Sequence, residues 1–451
     1  MKIISKASDS ILKMLRPFRK VSSRWRMIHY CVETQVEDGM LLYNFLTREL
    51  LLLTKEEYMD RFTLDYLKER WFVVPEEICE KEYADLVLWY VSEKKKRLST
   101  ITGYTIFTTT DCNARCFYCF EKGRLRVPMS QEVAEKTVQY IKQHSKGEKV
   151  NIHWFGGEPL FNMDAIDTIS NGLRQEGIEF KSRMVSNGYL FDDAAVHKAK
   201  ENWNLRQVQI TLDGTEAVYN RSKNYIYREG SPYQVVLQNI TRLLDASIGV
   251  TIRLNMDLYN AENLLSLVEE LAQRFDGRTG LSVYAYHIFD AELPMSDIHT
   301  EEEWEKRDQA MQQLEEKIAD LGLTSKQGIP KVYRKNHCMA DSGSAVTILP
   351  TGDIGLCDHF SEDEYIGHIN HEGFDEKKVM SWAETVPAHP ECLTCFYYPN
   401  CWRLKKCANS RTCFRQRRQE RYRKTQQRML NEYHMWQESI NLEQEDDAFE
   451  C

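Results

Sequence analysis

Three cysteines in an eight-residue stretch are the clearest candidates for chemistry in this sequence. Cys112, Cys116 and Cys119 are separated by three and then two residues, and they follow an apolar run at 104–107. Neither a helix nor a strand would present three thiols on one face at this spacing, whereas a loop wrapped around a metal cluster would. Three thiolates can each bind one iron of a [4Fe–4S] cluster, which normally takes four cysteines. The missing fourth cysteine predicts one iron with an open position for a small molecule.

This spacing, with Tyr118 just before the last cysteine, resembles the radical S-adenosylmethionine (radical SAM) superfamily. The resemblance implies that the open iron binds the amino and carboxylate groups of S-adenosylmethionine. It also implies that one electron from the cluster cleaves this cofactor to a 5′-deoxyadenosyl radical. The chemistry then belongs to the cofactor, and the protein positions and shields it. The alternative is a zinc knuckle or three unrelated thiols, although zinc favours four ligands in paired spacings.

Glycine-containing polar segments follow three of the predicted strands downstream. Residues 155–159 read Phe-Gly-Gly-Glu-Pro, residues 186–188 Ser-Asn-Gly and residues 211–214 Thr-Leu-Asp-Gly. The resemblance implies that the Gly-Gly-Glu segment binds the methionine amino group and that the others reach the ribose and methionine. Ordinary turn chemistry is the alternative for the latter two, and a structural ion pair is the alternative for Arg253 on the fifth strand. The candidate cofactor-binding residues are Tyr118, Gly156, Gly157, Glu158, Ser186, Asn187, Thr211, Asp213 and Arg253.

A second group of cysteines lies near the C-terminal end of the sequence. Its pattern of C…G-x₄-C, then C-x₂-C-x₅-C and two later cysteines, resembles the SPASM extension, which binds two auxiliary [4Fe–4S] clusters. Five residues, rather than the family's usual three, separate the last cysteine of the C-x₂-C-x₅-C run from the next. Zinc bound by C-x₂-C pairs is the alternative. The resemblance implies one auxiliary cluster on Cys338, Cys357 and Cys407 and another on Cys392, Cys395, Cys401 and Cys413.

The first of these clusters would again lack one ligand, unless Cys79, Cys451 or a non-cysteine group supplies it. Ten of the thirteen cysteines fall in the two groups, and only Cys31, Cys79 and Cys451 stand apart. Clustered cysteines without a secretion signal favour metal sites over disulfides. The sequence has no apolar run of membrane-spanning length, which predicts a cytoplasmic protein without a membrane partner. A net charge of −9 argues against a nucleic-acid partner.

Strand and helix patterns alternate from about residue 104 to residue 290, which favours a parallel sheet with crossover helices. The predicted fold class is α/β, with a partial (β/α)₆ TIM-type barrel, an N-terminal winged-helix-like module and a C-terminal cysteine-rich SPASM domain. Candidate strands are 104–109, 150–155, 180–185, 207–212, 250–256 and 281–288. The polar segments fall at the C-terminal ends of these strands, where βα barrels place their chemistry.

Residues 27–97 contain three predicted strands followed by three predicted helices. This order resembles the precursor-recognition domain at the head of many peptide-modifying enzymes, which binds a leader peptide as an added strand. A structural cap on the barrel is the alternative. The predicted division is a solvated basic arm at 1–26, this module at 27–97, the barrel at 98–290, a linker helix at 291–330, the SPASM domain at 331–414, and a basic helix with an acidic tail at 415–451.

Together these features predict a radical SAM maturase of a ribosomally synthesised peptide that forms a cross-link, in first place a thioether at cysteine. Carbon–carbon or carbon–oxygen cross-linking, sulfatase-type formylglycine formation and a zinc-stabilised peptide-binding scaffold are the alternatives. The implied cofactors are S-adenosylmethionine on its [4Fe–4S] cluster and two auxiliary [4Fe–4S] clusters. The implied partners are a precursor peptide with a leader and a flavodoxin- or ferredoxin-type electron donor. No catalytic residue beyond the cluster is assigned.

Overall fold

The structure is a computed structural model that describes most of the chain. Cys413, the residues 16–23 of the predicted arm and the residues 291–299 of the predicted linker lie outside the described residues. The described residues are 1–15, 24–93, 98–119, 121–227, 229–288, 300–325, 327–331, 338–359, 364–401, 404–407 and 418–449.

The N-terminal part is built on a four-stranded antiparallel sheet in the order β1-β5-β4-β3. All five residues of β5 are buried, because this leucine-rich strand has apolar neighbours on both faces. The elements are β1 (Lys2–Ser5), α1 (Asp9–Leu15), β2 (Trp25–Met27), β3 (Cys31–Val36), β4 (Gly39–Asn44), β5 (Glu49–Leu53), α2 (Lys55–Met59), α3 (Asp65–Glu69), β6 (Val73–Pro75) and α4 (Glu80–Glu93).

Two expectations for this part are wrong. The start of the arm is not solvated, because β1 pairs with β5 and α1 buries Ile11 and Leu15 in the core beneath the sheet. The three predicted helices do not follow one another directly, because β6 pairs with β2 between α3 and α4, and α4 starts at Glu80. Apolar residues within the basic stretch decide the first outcome, since burying them outweighs solvating the lysines.

The predicted partial (β/α)₆ barrel is confirmed. In the described residues, six parallel strands stand side by side in chain order, with helices packed outside them. Ser130 and Asp192 cap the helices that follow them through side-chain oxygens. The elements are β7 (Gly103–Thr109), α5 (Gln131–Ser145), β8 (Val150–Gly156), α6 (Met163–Gln175), β9 (Phe180–Ser186), α7 (Asp193–Glu201), β10 (Leu205–Leu212), α8 (Glu216–Lys223), α9 (Pro232–Asp245), β11 (Gly249–Met256), α10 (Ala261–Arg274) and β12 (Leu281–His287).

The cysteine-rich part extends the barrel sheet. β13 pairs in parallel with β7, and β14 and β15 add antiparallel strands beyond it. A Thr300–Glu303 capping box starts the helix that leads towards this part. The elements are α11 (Glu301–Asp320), β13 (Ala345–Ile348), β14 (Asp353–Gly355), β15 (Gly367–His368), α12 (Glu376–Ser381) and α13 (Arg418–Phe449).

The N-terminal sheet shares one apolar core with the cysteine-rich part and with α13. Phe396, Tyr398, Met429 and Tyr433 pack in the same cluster as the buried residues of β4 and β5. Buried polar contacts cross the same boundary, including Arg48 Nη2 to Asn400 Oδ1 at 2.8 Å. The predicted basic helix, α13, therefore buries one of its faces against the sheet.

None of the helices in the part of the chain that the structure describes combines the length and the apolarity that a membrane crossing needs.

Candidate functional site

The three-cysteine loop leaves the C-terminal end of β7 and folds over the end of β8. Asp111 Oδ1 accepts a hydrogen bond from the Cys112 amide at 2.8 Å, and Cys112 Sγ accepts one from the Ala114 amide at 3.3 Å. The Cys119 amide donates to the Cys116 carbonyl at 3.2 Å. The loop is thus held by its own backbone, with all three thiols half-buried and reduced.

Gly156 and Gly157 are required by the backbone of this loop. A Cβ on Gly156 would stand 2.2 Å from the Thr109 carbonyl oxygen, and Gly156 has a φ of +124°. A Cβ on Gly157 would stand 2.2 Å from the Asp111 carbonyl oxygen. The Gly157 and Glu158 amides donate to these two carbonyls at 3.0 and 2.9 Å. The glycines therefore allow close contact between β8 and the cysteine loop. Their observed contact is with this loop, whereas the sequence suggested contact with a ligand.

Glu158 is completely buried at the centre of the site. Its Oε1 accepts hydrogen bonds from Ser186 Oγ at 2.9 Å and the Leu160 amide at 3.2 Å, and its Oε2 accepts one from the Asn187 amide at 2.8 Å. Burial raises the pKa of Glu158 to about 7 in spite of these bonds. A buried carboxylate in this state would be stabilised by a cation, which suits the ammonium group of an amino-acid ligand.

Asn113 and Asn187 join the cysteine loop to the end of β9. Asn187 Nδ2 donates to Asn113 Oδ1 at 2.6 Å and lies 3.8 Å from Cys112 Sγ. Asn113 Nδ2 is buried and has no hydrogen-bond partner among the described residues. An unpaired buried donor of this kind marks a place that a polar ligand can complete.

Lys223, at the end of α8, holds a buried network that the sequence did not indicate. Its Nζ donates to Tyr118 Oη at 2.8 Å and to Thr211 Oγ1 at 2.6 Å, and lies 3.3 Å from Asp213 Oδ2. Tyr118 Oη donates to Asp213 Oδ2 at 2.6 Å, and Asn255 Nδ2 donates to Asp213 Oδ1 at 3.1 Å. The network ties the cysteine loop to α8 and to two neighbouring strands of the barrel, β10 and β11.

Burial acts to lower the pKa of Lys223, but the charges of Asp213 and Cys116 raise it above its ordinary value. Lys223 therefore remains a cation next to the loop. Tyr118, Thr211 and Asp213 are held by this cation, and their predicted contacts with a cofactor stay predictions. The single signal for Lys223 was its place ten residues after Asp213 on a short helix with polar neighbours.

Arg253 faces the inside of the barrel, as its alternation with apolar residues indicated. Its guanidinium lies over the Tyr286 ring at 4.4 Å from the centroid. Its role in binding a cofactor carboxylate stays a prediction.

The residues of the loop suit a [4Fe–4S] cluster with three cysteine ligands. Burial, and then the charges of Glu158, Cys116 and Cys119, raise the pKa of the Cys112 thiol to about 12. The three thiols lie on one short loop, and cysteines bind a metal as thiolates, whose negative charge a cation offsets. Together with the unpaired amide of Asn113 and the buried Glu158, this donor set accommodates the cluster and an amino-acid ligand beside it.

The structure also groups part of the second cysteine set. Cys338, Cys357 and Cys407 all pack against the apolar core of the barrel, and burial, followed by the charges of Asp358, Cys338 and Cys407, raises the pKa of Cys357 well above its ordinary value. Cys392 and Cys395 instead pack against the N-terminal sheet. Asp358 and His359 place further ligand atoms within 4.8 Å of Cys357 Sγ and of one another. The division of ligands between two clusters stays a proposal, and Cys413 lies outside the described residues.

Comparison with protein families gives one match inside the barrel. Residues 106–271 match the family model for the Radical SAM superfamily. A probable GTP 3′,8-cyclase of Archaeoglobus fulgidus is 29% identical over 157 residues, which is 35% of this chain and 49% of the relative. The radical SAM cyclopropyl synthase TigE of Paramaledivibacter caminithermalis is 22% identical over 238 residues, which is 42% of this chain and 50% of the relative. The chain thus spans about half the length of these curated relatives.

Two solved structures are similar over a larger share of the chain. Native anSMEcpe with bound AdoMet and Cp18Cys peptide aligns with a TM-score of 0.53 at 16% identity, covering 76% of this chain and 99% of that one. Streptococcus suis SuiB bound to the precursor peptide SuiA aligns with a TM-score of 0.51 at 13% identity, covering 84% of this chain and 94% of that one. At these identities the likeness shows a shared fold.

Proposed function

We propose, because residues 106–271 match the family model for the Radical SAM superfamily, that the chain belongs to this superfamily and matures a ribosomally synthesised peptide by removing hydrogen from an unactivated carbon of a core residue. The superfamily implies a [4Fe–4S] cluster with S-adenosylmethionine. When bound, that pair supplies a 5′-deoxyadenosyl radical, which is strong enough to break such a carbon–hydrogen bond. The convergence of Cys112, Cys116 and Cys119 with buried Glu158 is the observation that carries the proposal.

Specific residues of this chain would hold the group. The three cysteines of the loop would bind the cluster, with Gly156 and Gly157 keeping β8 against the loop. Glu158 would pair with the amino group of the methionine moiety, since burial raises its pKa to about 7 and an adjacent ammonium group would stabilise the charged carboxylate. Ser186 and Asn187 orient Glu158, and Lys223 keeps the loop on the barrel. The barrel wall excludes water, which protects a reactive species from side reactions.

A peptide substrate is favoured by how far the architecture extends. The GTP 3′,8-cyclase of A. fulgidus matches about a third of the chain, whereas the two peptide-bound structures share the fold over three quarters or more. Both shares exceed the barrel, so the shared fold extends beyond it. We propose that the sheet receives the leader of the precursor.

The free edge of the N-terminal sheet is the place where a leader would add as a strand. Tyr422 Oη and Gln426 Nε2 of α13 bond the amide and the carbonyl of Glu33, at 3.3 and 2.9 Å, and so cover the edge formed by β3. The other edge would be β5, but β1 already pairs with it. The outer side of β1 has no strand partner in the described residues, and an edge of this kind accepts extended peptides.

Closure of the core carbon by a cysteine thiolate, giving a thioether with net loss of two hydrogens, is the first proposal for the product. Carbon–carbon or carbon–oxygen closure and formylglycine formation are the competing outcomes. The cysteines that gather around Cys357, and those at 392–401, would carry auxiliary [4Fe–4S] clusters that accept the electron left after closure. A flavodoxin- or ferredoxin-type protein would deliver the initiating electron.

The test combines metal analysis with product analysis on anaerobically purified protein. Three cubes predict about twelve irons and about twelve sulfides per chain, against about four of each for one cube. Mass spectrometry of the peptide encoded beside the gene should show a loss of two hydrogens after incubation with S-adenosylmethionine and a reductant. Replacing Cys112, Cys116 and Cys119 with alanine should abolish reductive cleavage of S-adenosylmethionine. Zinc without sulfide, or cleavage that survives in the triple variant, would refute the proposal.

A further inference from the structure

The inside of the barrel, on the N-terminal side of the cysteine loop, contains a polar cavity. βα barrels of this type usually fill their interior with branched apolar side chains. Here neighbouring strands carry His153, Arg183 and Gln207 side by side in register, and Tyr284 Oη donates to Gln209 Oε1 at 2.9 Å across the cavity wall. The cavity has a volume of about 690 Å³, which lies in the range of small-ligand and peptide sites.

The cavity runs along the barrel axis. On β12 its wall extends from Ser282 to Tyr286. The four steps between these residues span about 13 Å, at about 3.3 Å per residue of a strand. Tyr286 pairs with Asn255, which belongs to the Lys223 network at the floor of the proposed active site. The opposite end is bounded by α11 and α13. An extended segment of three or four residues therefore fits between the open end and the reacting centre.

Most of the charged side chains that line the cavity are already paired. Arg423 lies 3.2 Å from Asp308, and Lys424 lies 2.9 Å from Glu315 and 2.6 Å from Glu420. Arg428 is exposed at the open end. The remaining carboxylate, Glu316, accepts a hydrogen bond from Gln312 on its own helix.

The side chain of Arg183 is different, because it has no ion pair and no hydrogen bond with any residue that the structure describes. Burial lowers the pKa of Arg183, and the charge of Asp358 opposes this without forming a pair. Burial, and then the charge of Arg183, lower the pKa of His153 to about 3, so the adjacent imidazole is neutral. Arg183 is nonetheless exposed to solvent in the open cavity, so an anion that enters the cavity can reach its guanidinium and pair with it.

We propose that this cavity binds the core segment of the peptide substrate through a carboxylate that pairs with Arg183. The guanidinium can hold a carboxylate by two parallel hydrogen bonds, which would fix the segment in register with the reacting centre. Gln207, Gln209 and Tyr284 supply hydrogen-bonding groups for the peptide backbone. Glu315 and Glu316 disfavour a polyanion such as a nucleoside triphosphate. The inference rests on the proposed function, since it names the peptide class that the site selects.

The experiment measures binding of four probes to the full-length protein, reconstituted with iron and sulfide in the presence of S-adenosylmethionine. The probes are acetyl-Gly-Glu-Gly-Ala-amide, its Gln and Lys counterparts, and GTP, each followed by equilibrium dialysis with mass-spectrometric detection. The Glu peptide should bind at least tenfold more tightly than the Gln peptide, and the Lys peptide more weakly than either. Equal binding of the Glu and Gln peptides, or displacement of the Glu peptide by micromolar GTP, would overturn the inference.

Variants connect the preference to one side chain. Arg183→Met and Arg183→Gln should each reduce the Glu-over-Gln preference to less than twofold, while Arg183→Lys should keep part of it. Arg206→Met is the matched control, because Arg206 is an exposed arginine on the next strand, outside the cavity lining, and its loss should leave the preference unchanged. A preference that persists in both neutral Arg183 variants would contradict the assignment. Two neutral variants are used so that a folding defect in one does not remove the test.

The same samples separate this inference from the proposed function. Reductive cleavage of S-adenosylmethionine to methionine and 5′-deoxyadenosine, without any peptide, is measured with dithionite. Its absence in the unmodified protein would contradict the proposed function whatever the peptides do. Its presence without a Glu preference would contradict only the role of Arg183.

Discussion

Glu158 shows how a single buried side chain can carry both stability and binding. Its pKa of about 7, against an ordinary value of 4.5, arises from burial that three hydrogen bonds only partly offset. In the folded apoprotein the carboxyl group therefore holds its proton up to higher pH than in the unfolded chain. The free energy of unfolding of the apoprotein consequently falls as pH rises from about 4.5 to about 7.

We expect Glu158→Gln to remove this pH dependence and to weaken S-adenosylmethionine binding at least tenfold. The amide has one acceptor where the carboxylate has two, and it cannot neutralise an ammonium group. Thermal unfolding of the apoprotein between pH 5 and pH 8 and equilibrium dialysis of the reconstituted protein measure the two effects. Glu148→Gln, at an exposed loop position, is the control. Unchanged affinity in Glu158→Gln would show that the ammonium lies elsewhere.

Lys223 and Asp213 form a buried ion pair in which each partner depends on the other. Replacing Lys223 with methionine leaves Asp213 buried without a cation, which typically costs about 3–5 kcal/mol. We expect Lys223→Met to lower stability by that order and to reduce iron incorporation, because Tyr118 loses the donor that anchors the loop. The double variant Lys223→Met/Asp213→Asn should recover part of the loss. Denaturant unfolding and iron analysis provide the cycle, and purely additive losses would contradict the coupling.

At the scale of elements, the outer side of β1 carries backbone groups that face away from the sheet. The alternating hydrogen-bond pattern of an antiparallel sheet identifies the residue that supplies them. Glu33 directs its amide and carbonyl away from β4. In the sheet, Glu33 pairs with Leu42, Leu42 pairs with Leu51, and Leu51 pairs with Ile3. Because the direction of the backbone groups alternates from one pair to the next, those of Ile3 point away from β5. Ile3 thus offers one donor and one acceptor to an added strand.

Ile3→Pro should reduce affinity for the leader of the precursor encoded beside the gene at least tenfold, because it removes the outward amide and keeps the pairing with β5. Ile3→Ala, which keeps that amide but loses the packing, should change affinity less than threefold. Fluorescence anisotropy of a labelled leader measures both. If leader binding is instead strengthened by Tyr422→Phe/Gln426→Ala, the edge formed by β3 is the docking edge.

The elements of the barrel could be predicted from sequence because their signals are local. Apolar runs followed by polar residues located β7 to β12 within two residues at either end. The partners in β1 and α13 could not be predicted, since a short basic strand and a basic helix carry no local sign of what they cover. Lys223 was missed for a similar reason, because its partners Asp213, Thr211 and Tyr118 lie 10 to 105 residues away along the chain and meet it only in the fold.

At the scale of the whole molecule, the N-terminal sheet is not an independent attachment. Its core includes Phe396 and Tyr398 from the cysteine-rich part and Met429 from α13. Tyr398 Oη donates to Asp85 Oδ1 at 2.6 Å, so α4 is bonded to the same part. A structural role as a cap and a role in leader binding are therefore compatible in one module.

Removal of residues 1–97 should consequently do more than abolish leader binding. The apolar residues that face the sheet would be exposed, and burial of each such side chain is worth about 1.5–3 kcal/mol. We expect the truncated protein to aggregate or to unfold at a temperature at least 10 °C lower, with fewer irons per chain than the full-length protein. Size-exclusion chromatography, calorimetry and iron analysis check this. A monomeric truncated protein with full iron content would show that the parts are separable.

The cover on the β3 edge comes from a residue 389 positions further along the chain than the Glu33 it protects. During synthesis on the ribosome the first sheet therefore emerges, and can fold, long before the helix that shields it. Until α13 has been synthesised, the nascent protein carries two uncovered sheet edges at once, on β3 and on β1. A chaperone or a neighbouring nascent chain would therefore meet more exposed strand edge than the folded protein presents.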